Sequence, residues 1–162
     1  MQLLISDANI LIDLEEGELL KELFQLPYRF SVPDILFFEE LEDQHAHLLD
    51  SGLVLGELDS DAMLYALELT ARVRGPSRND CFALALAKQE NCPLLSGDQA
   101  LRRAAEQEAV VVMGTIWVVE QLIRHQIITI QRAKAAYDRM RANARRLPWD
   151  KAFHNLEALD KP

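Results

Sequence analysis

Short apolar runs alternate along this chain with stretches that repeat at helical spacing, and the hand-overs between them carry acids. Leu3-Leu4-Ile5-Ser6 closes on Asp7. Phe30-Ser31-Val32-Pro33 leads into a helical stretch that contains Glu40. Asp80 opens the apolar stretch from Cys81 to Gln89, and Asp98 follows Pro93-Leu94-Leu95-Ser96. An apolar run of four or five residues bounded by polar ones suits a buried strand and is too short for a helix. Strands alternating with helices give an α/β fold with a largely parallel sheet. The carboxyl ends of such strands share one edge, where ligands bind. Acids distant in sequence therefore meet in one small volume.

Clustered carboxylates repel one another unless a cation neutralises them. Oxygen ligands are hard, which favours Mg²⁺ or Mn²⁺. Asp7, Glu40, Asp80 and Asp98 are thus candidate metal ligands and catalytic residues. Each has a plainer role as well. Asp7 can cap a helix starting near Asn9, Asp80 can be the third-position partner of Ser77, and Asp98 can be an N-cap. Glu40 can be a surface acid beside Glu39, Glu42 and Asp43. A cap explains one acid at a time and leaves their shared edge unexplained.

The periodicity lays out the elements. Residues 2–6 read as a strand, followed by helical faces at Ile10, Leu11 and Leu14 and at Leu19, Leu20, Leu23 and Phe24. Residues 29–32 are a second strand, and a helix runs from Ile35 to about Leu49, ended by Ser51-Gly52. Leu53-Val54-Leu55 is a third strand. Asp59 caps the next helix, which Gly75-Pro76 ends. Ser77-Arg78-Asn79-Asp80 reads as a capping box. The helix it opens is apolar almost all round, so it is covered on both sides. Leu94-Leu95 and Val110 to Met113 are the fourth and fifth strands, with an Asp98-capped helix between them. Helices from Ile116 to Arg124 and from about Ile130 to Arg145 follow, and the tail after Pro148 is expected to be weakly structured. Asp13, about two turns past Asp7, is expected at the surface.

A chain of 162 residues with 49% hydrophobic content is one domain with a proper core. The start has no basic n-region, and no apolar stretch reaches the ~18 residues of a membrane span. Cys81 and Cys92 lack partners at zinc-ligand spacing and read as reduced core thiols, which places the protein in the cytoplasm. The net charge of −9 argues against a protein that coats nucleic acid. That average hides an asymmetry: residues 1–60 hold 2 basic and 14 acidic residues, whereas residues 121–162 hold 9 basic and 4 acidic. Arg132, Arg139 and Arg146 recur every seven residues, which puts them on one face of a helix. That face is a solvated surface or an RNA-contacting rim. His45 and His47 stand two apart, the wrong spacing for one helix face. With His125 and His154, they are assigned neither metal binding nor catalysis.

Ile5-Ser6-Asp7-Ala8-Asn9-Ile10-Leu11-Ile12-Asp13 resembles the opening motif of PIN-domain nucleases. Val32-Pro33-Asp34 leading to Glu40-Leu41 is similar to their second acidic motif. Glu39 and Glu40 are adjacent; Glu40 is preferred because an apolar residue follows it. Asp80 with Ala83-Leu84-Ala85-Leu86-Ala87 resembles the third motif, and Leu94-Leu95-Ser96-Gly97-Asp98 the fourth. The resemblance covers residues 2 to about 123. It implies a PIN-like three-layer α/β fold, with a central, largely parallel sheet of about five strands flanked by helices. Residues 1–123 are then the nuclease domain and 124–162 its C-terminal helical extension. It further implies a Mg²⁺- or Mn²⁺-dependent endoribonuclease similar to the VapC-type toxins of toxin–antitoxin pairs, with RNA as substrate, a cognate antitoxin as partner and a homodimeric state. Asn9 and Ser96 are candidates for orienting the carboxylates or a water.

Two other enzyme classes fit less well. A phosphatase of the HAD type needs a general acid two residues after its nucleophilic Asp, and Asn9 cannot give up a proton. A receiver domain needs paired acids after the first strand and a late Lys. A non-catalytic PIN-like module for RNA or protein binding is the remaining alternative, and loss of an acid would signal it.

Overall fold

The computed structural model describes residues 1–160. Five strands form one sheet: β1 (Gln2–Ser6), β2 (Tyr28–Pro33), β3 (Val54–Gly56), β4 (Leu94–Leu95) and β5 (Val112–Met113). Their order is β3-β2-β1-β4-β5 and every neighbouring pair is parallel. The chain winds outward from β1 through β2 to β3, then returns to the other side of β1 for β4 and β5. The strand order therefore reverses between β1 and β4, and in open parallel sheets the ligand crevice lies at that switch point.

The first crossover carries α1 (Ala8–Glu16) and α2 (Leu20–Leu23). After β2 come α3 (Asp34–Leu36), a π-helical segment (Phe37–Leu41), α4 (Glu42–His45) and α5 (His47–Ser51). The single helix expected from Ile35 to Leu49 keeps right-handed helical angles at its junctions but changes hydrogen-bonding pattern along its length, with a π-helical segment and a turn at Ala46. Between β3 and β4 lie α6 (Ser60–Arg72) and α7 (Arg78–Glu90). Helix α6 stops at Arg72, ahead of Gly75-Pro76. Gln89, near the end of α7, accepts from the backbone N–H of Asp59, the N-cap of α6, so the two helices run antiparallel. Helix α7 is buried from Cys81 through Ala87. One side packs on the sheet, while Phe82 and Ala85 meet Ala66 of α6. The near-absence of a polar face follows from this double cover.

Helices α8 (Gln99–Gln107), α9 (Thr115–Arg124), α10 (Ile130–Ala142) and α11 (Trp149–Asp160) complete the fold. Two C-terminal expectations need correction. Helix α10 ends at Ala142, so Arg146 lies beyond it and off the face of Arg132 and Arg139. The segment after Pro148 is helical. Trp149, Ala152, Phe153 and Leu156 repeat at helical spacing, and Ala152 and Leu156 are fully buried with Tyr137 and Met140 of α10. The extension thus shares the core of residues 1–123. Gly17 lies against this contact: a Cβ there would stand 2.6 Å from Met140 Cε, so the methionine tip would have to shift. No helix among the described residues is long and apolar enough to cross a membrane.

Candidate active site

The register of the sheet brings the acids together. The Asp7 N–H donates to the Leu95 carbonyl at 3.0 Å, and the Ser96 N–H to that of Met113 at 2.8 Å. The residue after β1 therefore sits beside the end of β4, with Ser96-Gly97-Asp98 turning away next to it. Each of three acids caps a helix. Asp7 Oδ1 accepts from the Ile10 N–H at 3.0 Å and Asp98 Oδ1 from the Leu101 N–H at 2.8 Å. Asp80 and Ser77 exchange the two bonds of a capping box at 3.0 and 3.1 Å. The plain roles are real. They also place the N-termini of α1, α7 and α8 at one edge, each marked by an acid.

Capping leaves one Asp7 oxygen over. Asp7 is buried, and its Oδ2 has no hydrogen-bond partner. Burial pushes its carboxyl up to about 7, the Ser96 hydroxyl and the Ile10 N–H pull against that, and Asp80 and Asp13 add repulsion. Burial likewise raises Asp80, and repulsion from Asp98 adds to it. The chain of influence runs Asp7–Asp80–Asp98. An unpartnered buried oxygen amid mutually repelling carboxylates fits a cation that would satisfy all three.

Glu40 enters from a different direction. It is exposed on the π-helical segment, and Asn79 Nδ2 donates to its Oε2 at 2.8 Å. Glu39 pairs with Arg78. Both glutamates therefore lean on the first turn of α7, immediately before Asp80. The segment that carries them is wound as a π-helix. Such bulges are common at functional sites.

Ser96 is fully buried, lies against Asp7 and accepts from the Asp98 N–H at 3.1 Å, so it links two of the acids. Asn9 is exposed, and its Oδ1 accepts from Arg145 Nη2 at 3.2 Å instead of meeting a carboxylate. Asp13 is the clear correction: it is buried, not a surface acid. Thr115 Oγ1 donates to its Oδ2 at 2.8 Å and Arg145 Nε to its Oδ1 at 2.6 Å. Burial raises the Asp13 carboxyl while Arg145 and Thr115 hold it down. The signal was present in the sequence, since Asp13 stands three residues after Ile10 on the apolar face of α1.

The basic residues divide. Arg132 pairs with Glu22 at 2.7 Å and Arg139 with Glu18 at 2.7 Å, so both fasten α10 to the α1–α2 region. Arg146 instead lines a cleft of about 410 Å³ next to the acids, together with Gly97, Arg102, Thr115, Trp117 and Lys151.

A family model described as a PIN domain matches residues 3–158, and the chain belongs to the PIN-domain family. PIN domains are typically metal-dependent nucleases. No curated protein matches the sequence. Among solved structures, the chain is similar to a PilT N-terminus domain protein, SSO1118, from the hyperthermophilic archaeon Sulfolobus solfataricus P2. The identity is 14% and the TM-score 0.46, over 76% of this chain and 92% of that one.

Proposed function

We propose that this protein is a metal-dependent endoribonuclease. The observation that carries the reading is the buried, unpartnered Oδ2 of Asp7, at the sheet's switch point and repelled by Asp80. Asp7, Asp80 and Asp98 would hold Mg²⁺ or Mn²⁺, with Glu40 at the exposed margin. When bound, the cation supplies polarisation of a phosphate oxygen and a lowered pKa for water. The chain's own residues do the rest. Ser96 fixes Asp7 and Asp98 relative to each other. Asn79 holds Glu40 toward the site, where its carboxylate can take a proton from the attacking water. Arg146 and Lys151, along the adjacent cleft, meet the RNA backbone, and Trp117 offers a ring for an unstacked base. In-line attack would leave a 5′-phosphate and a 3′-hydroxyl.

The four acidic motifs also support a finer reading. The protein would be the cytoplasmic toxin of a toxin–antitoxin pair, working as a homodimer and silenced by a cognate antitoxin protein. The test has two arms. Purified protein should cleave single-stranded RNA with Mn²⁺ or Mg²⁺ and not with EDTA, and Asp98→Asn and Asp80→Asn should each abolish cutting. Asparagine still serves as an N-cap in place of Asp98, and its amide oxygen can still accept the Ser77 N–H in place of Asp80, so both variants keep the fold. Wild-type cleavage by either variant would defeat the nuclease reading in favour of a binding module. For the finer reading, expression should arrest growth, and co-expression of a small protein encoded beside the gene should relieve it.

A further inference from the structure

A second cluster of ligating side chains lies away from the acids. Glu15 is eight residues beyond Asp7, about 12 Å along α1 at 1.5 Å per residue. Two histidines converge on it: His47 Nε2 lies 2.8 Å from Glu15 Oε1, and His45 Nδ1 lies against Glu15 Oε2. The three residues each offer one ligand atom, and these atoms all lie within 4.8 Å of one another. The hydrogen-bonding pattern changes here, although Ala46 keeps right-handed helical angles. Helix α4 stops at His45, α5 starts at His47, and Ala46 alone forms the turn between them. The Leu49 N–H donates to the Ala46 carbonyl, a tight three-residue bond at 3.2 Å. The imidazoles of these two residues stand with ring centroids 6.2 Å apart.

His45 Nδ1 adds a detail within the same cluster. The atom is buried on a part-buried side chain, and it lies against Glu15 Oε2 without hydrogen-bond geometry. An imidazole nitrogen so placed needs either a proton with an aligned acceptor or an ion. Two imidazoles and one carboxylate are a ligand set suited to Zn²⁺ and its neighbours, unlike the all-oxygen acid cluster.

We propose that Glu15, His45 and His47 bind a divalent transition metal of the zinc class, joining the end of α1 to the α4–α5 turn. Glu15 and His47 also line a cleft with Leu20, Lys21, Phe24 and Ser51, where Lys21 would favour an anionic further ligand. This site is independent of the nuclease reading.

The test is titration of the full chain with Zn²⁺ in excess Mg²⁺, followed by calorimetry, with Co²⁺ absorption in the visible as a spectroscopic check. One equivalent of Zn²⁺ should bind, and Co²⁺ should give the bands of a nitrogen-and-oxygen site. His47→Gln and Glu15→Gln should each weaken binding by no less than the roughly 10–100-fold that loss of an outer-shell partner costs. His47 is half exposed, so its variant leaves packing untouched, and circular dichroism checks the fold of both. Asp98→Asn should bind Zn²⁺ as the parent does. The proposal is overturned if no Zn²⁺ binds, if binding survives both variants, or if Asp98→Asn removes it. A pH-dependent stability indifferent to Zn²⁺ overturns it too, because protonated histidines would then simply pair with Glu15.

Discussion

Asn79 donates to Glu40 at 2.8 Å while its neighbour Arg78 pairs with Glu39, so one turn of α7 sorts two adjacent glutamates. Glu39 has its charge compensated by a guanidinium. Glu40 is held by a neutral amide and keeps its full charge. Glu40→Gln should therefore reduce RNA cleavage by roughly 10–100-fold or more, while Glu39→Gln changes kcat little. Single-turnover rates at saturating Mn²⁺ decide it. The reverse ranking would make Glu39 the working acid and the Arg78 pair a resting-state latch.

The carboxyl of Asp7 ionises near 3.8 in the unfolded chain and near 7 in the metal-free fold. Between those values the native state keeps a proton that the unfolded state has released. Metal-free stability should then fall as pH rises from about 4 to about 7, by a few kcal/mol at about 1.4 kcal/mol per unit. Asp80 and Asp13 are shifted in the same direction and add to the fall. Saturating Mg²⁺ should flatten it, because binding to the native state stabilises by mass action. Denaturant midpoints across that range, with EDTA and with Mg²⁺, provide the check. A metal-free midpoint that climbs between pH 5 and 7 would contradict the arrangement of charges.

Arg145 and Asp13 join the C-terminal segment to α1 through a pair that is mostly withdrawn from water. Removing one partner of a buried pair costs about 3–5 kcal/mol, less where the arginine keeps some exposure. Arg145→Met should destabilise by about 2–3 kcal/mol, lowering Tm by roughly 5–10 °C. Arg145→Met combined with Asp13→Asn should recover part of the loss. A single variant as stable as the parent would mean the pair does not dock the segment.

Salt dependence separates the two groups of arginines. Each phosphate contact to single-stranded RNA contributes about 0.7 to the slope of log affinity against log salt. Arg146→Gln with Lys151→Gln should flatten that slope by roughly 1–1.4. Arg132→Gln with Arg139→Gln should leave it unchanged, since both side chains are already engaged by Glu22 and Glu18. A larger effect from the second pair would put the RNA on the α10 face.

The sheet and its order of elements were legible because strand and helix periods differ and because each acid coincides with a cap. Asp7, Asp80 and Asp98 announce themselves twice, as the ends of local signals and as a set. What escaped was whatever depends on winding or on distant packing. The π-helical segment has no period of its own in so short a stretch, so Glu39 and Glu40 could not be placed by angle. The turn at Ala46 hid the approach of His45 and His47. Arg145 lies 132 residues from Asp13, and nothing local links them. The helix at Trp149 was readable from its apolar spacing, and the basic, proline-flanked stretch before it obscured that pattern.

The acids in the caps of α1, α7 and α8 set up an opposition between endurance and work. Asparagine caps a helix as well as aspartate does, without the charge. An Asp-to-Asn exchange at position 7 therefore removes repulsion and costs the backbone nothing. An Asp7→Asn copy should outlast the parent whenever metal is scarce. Working sites are commonly held below the stability their scaffold could reach. Here the sacrifice is shared by three carboxyls raised by burial, so an exchange at position 7 alone would move the chain only part of the way toward a folded, silent relative.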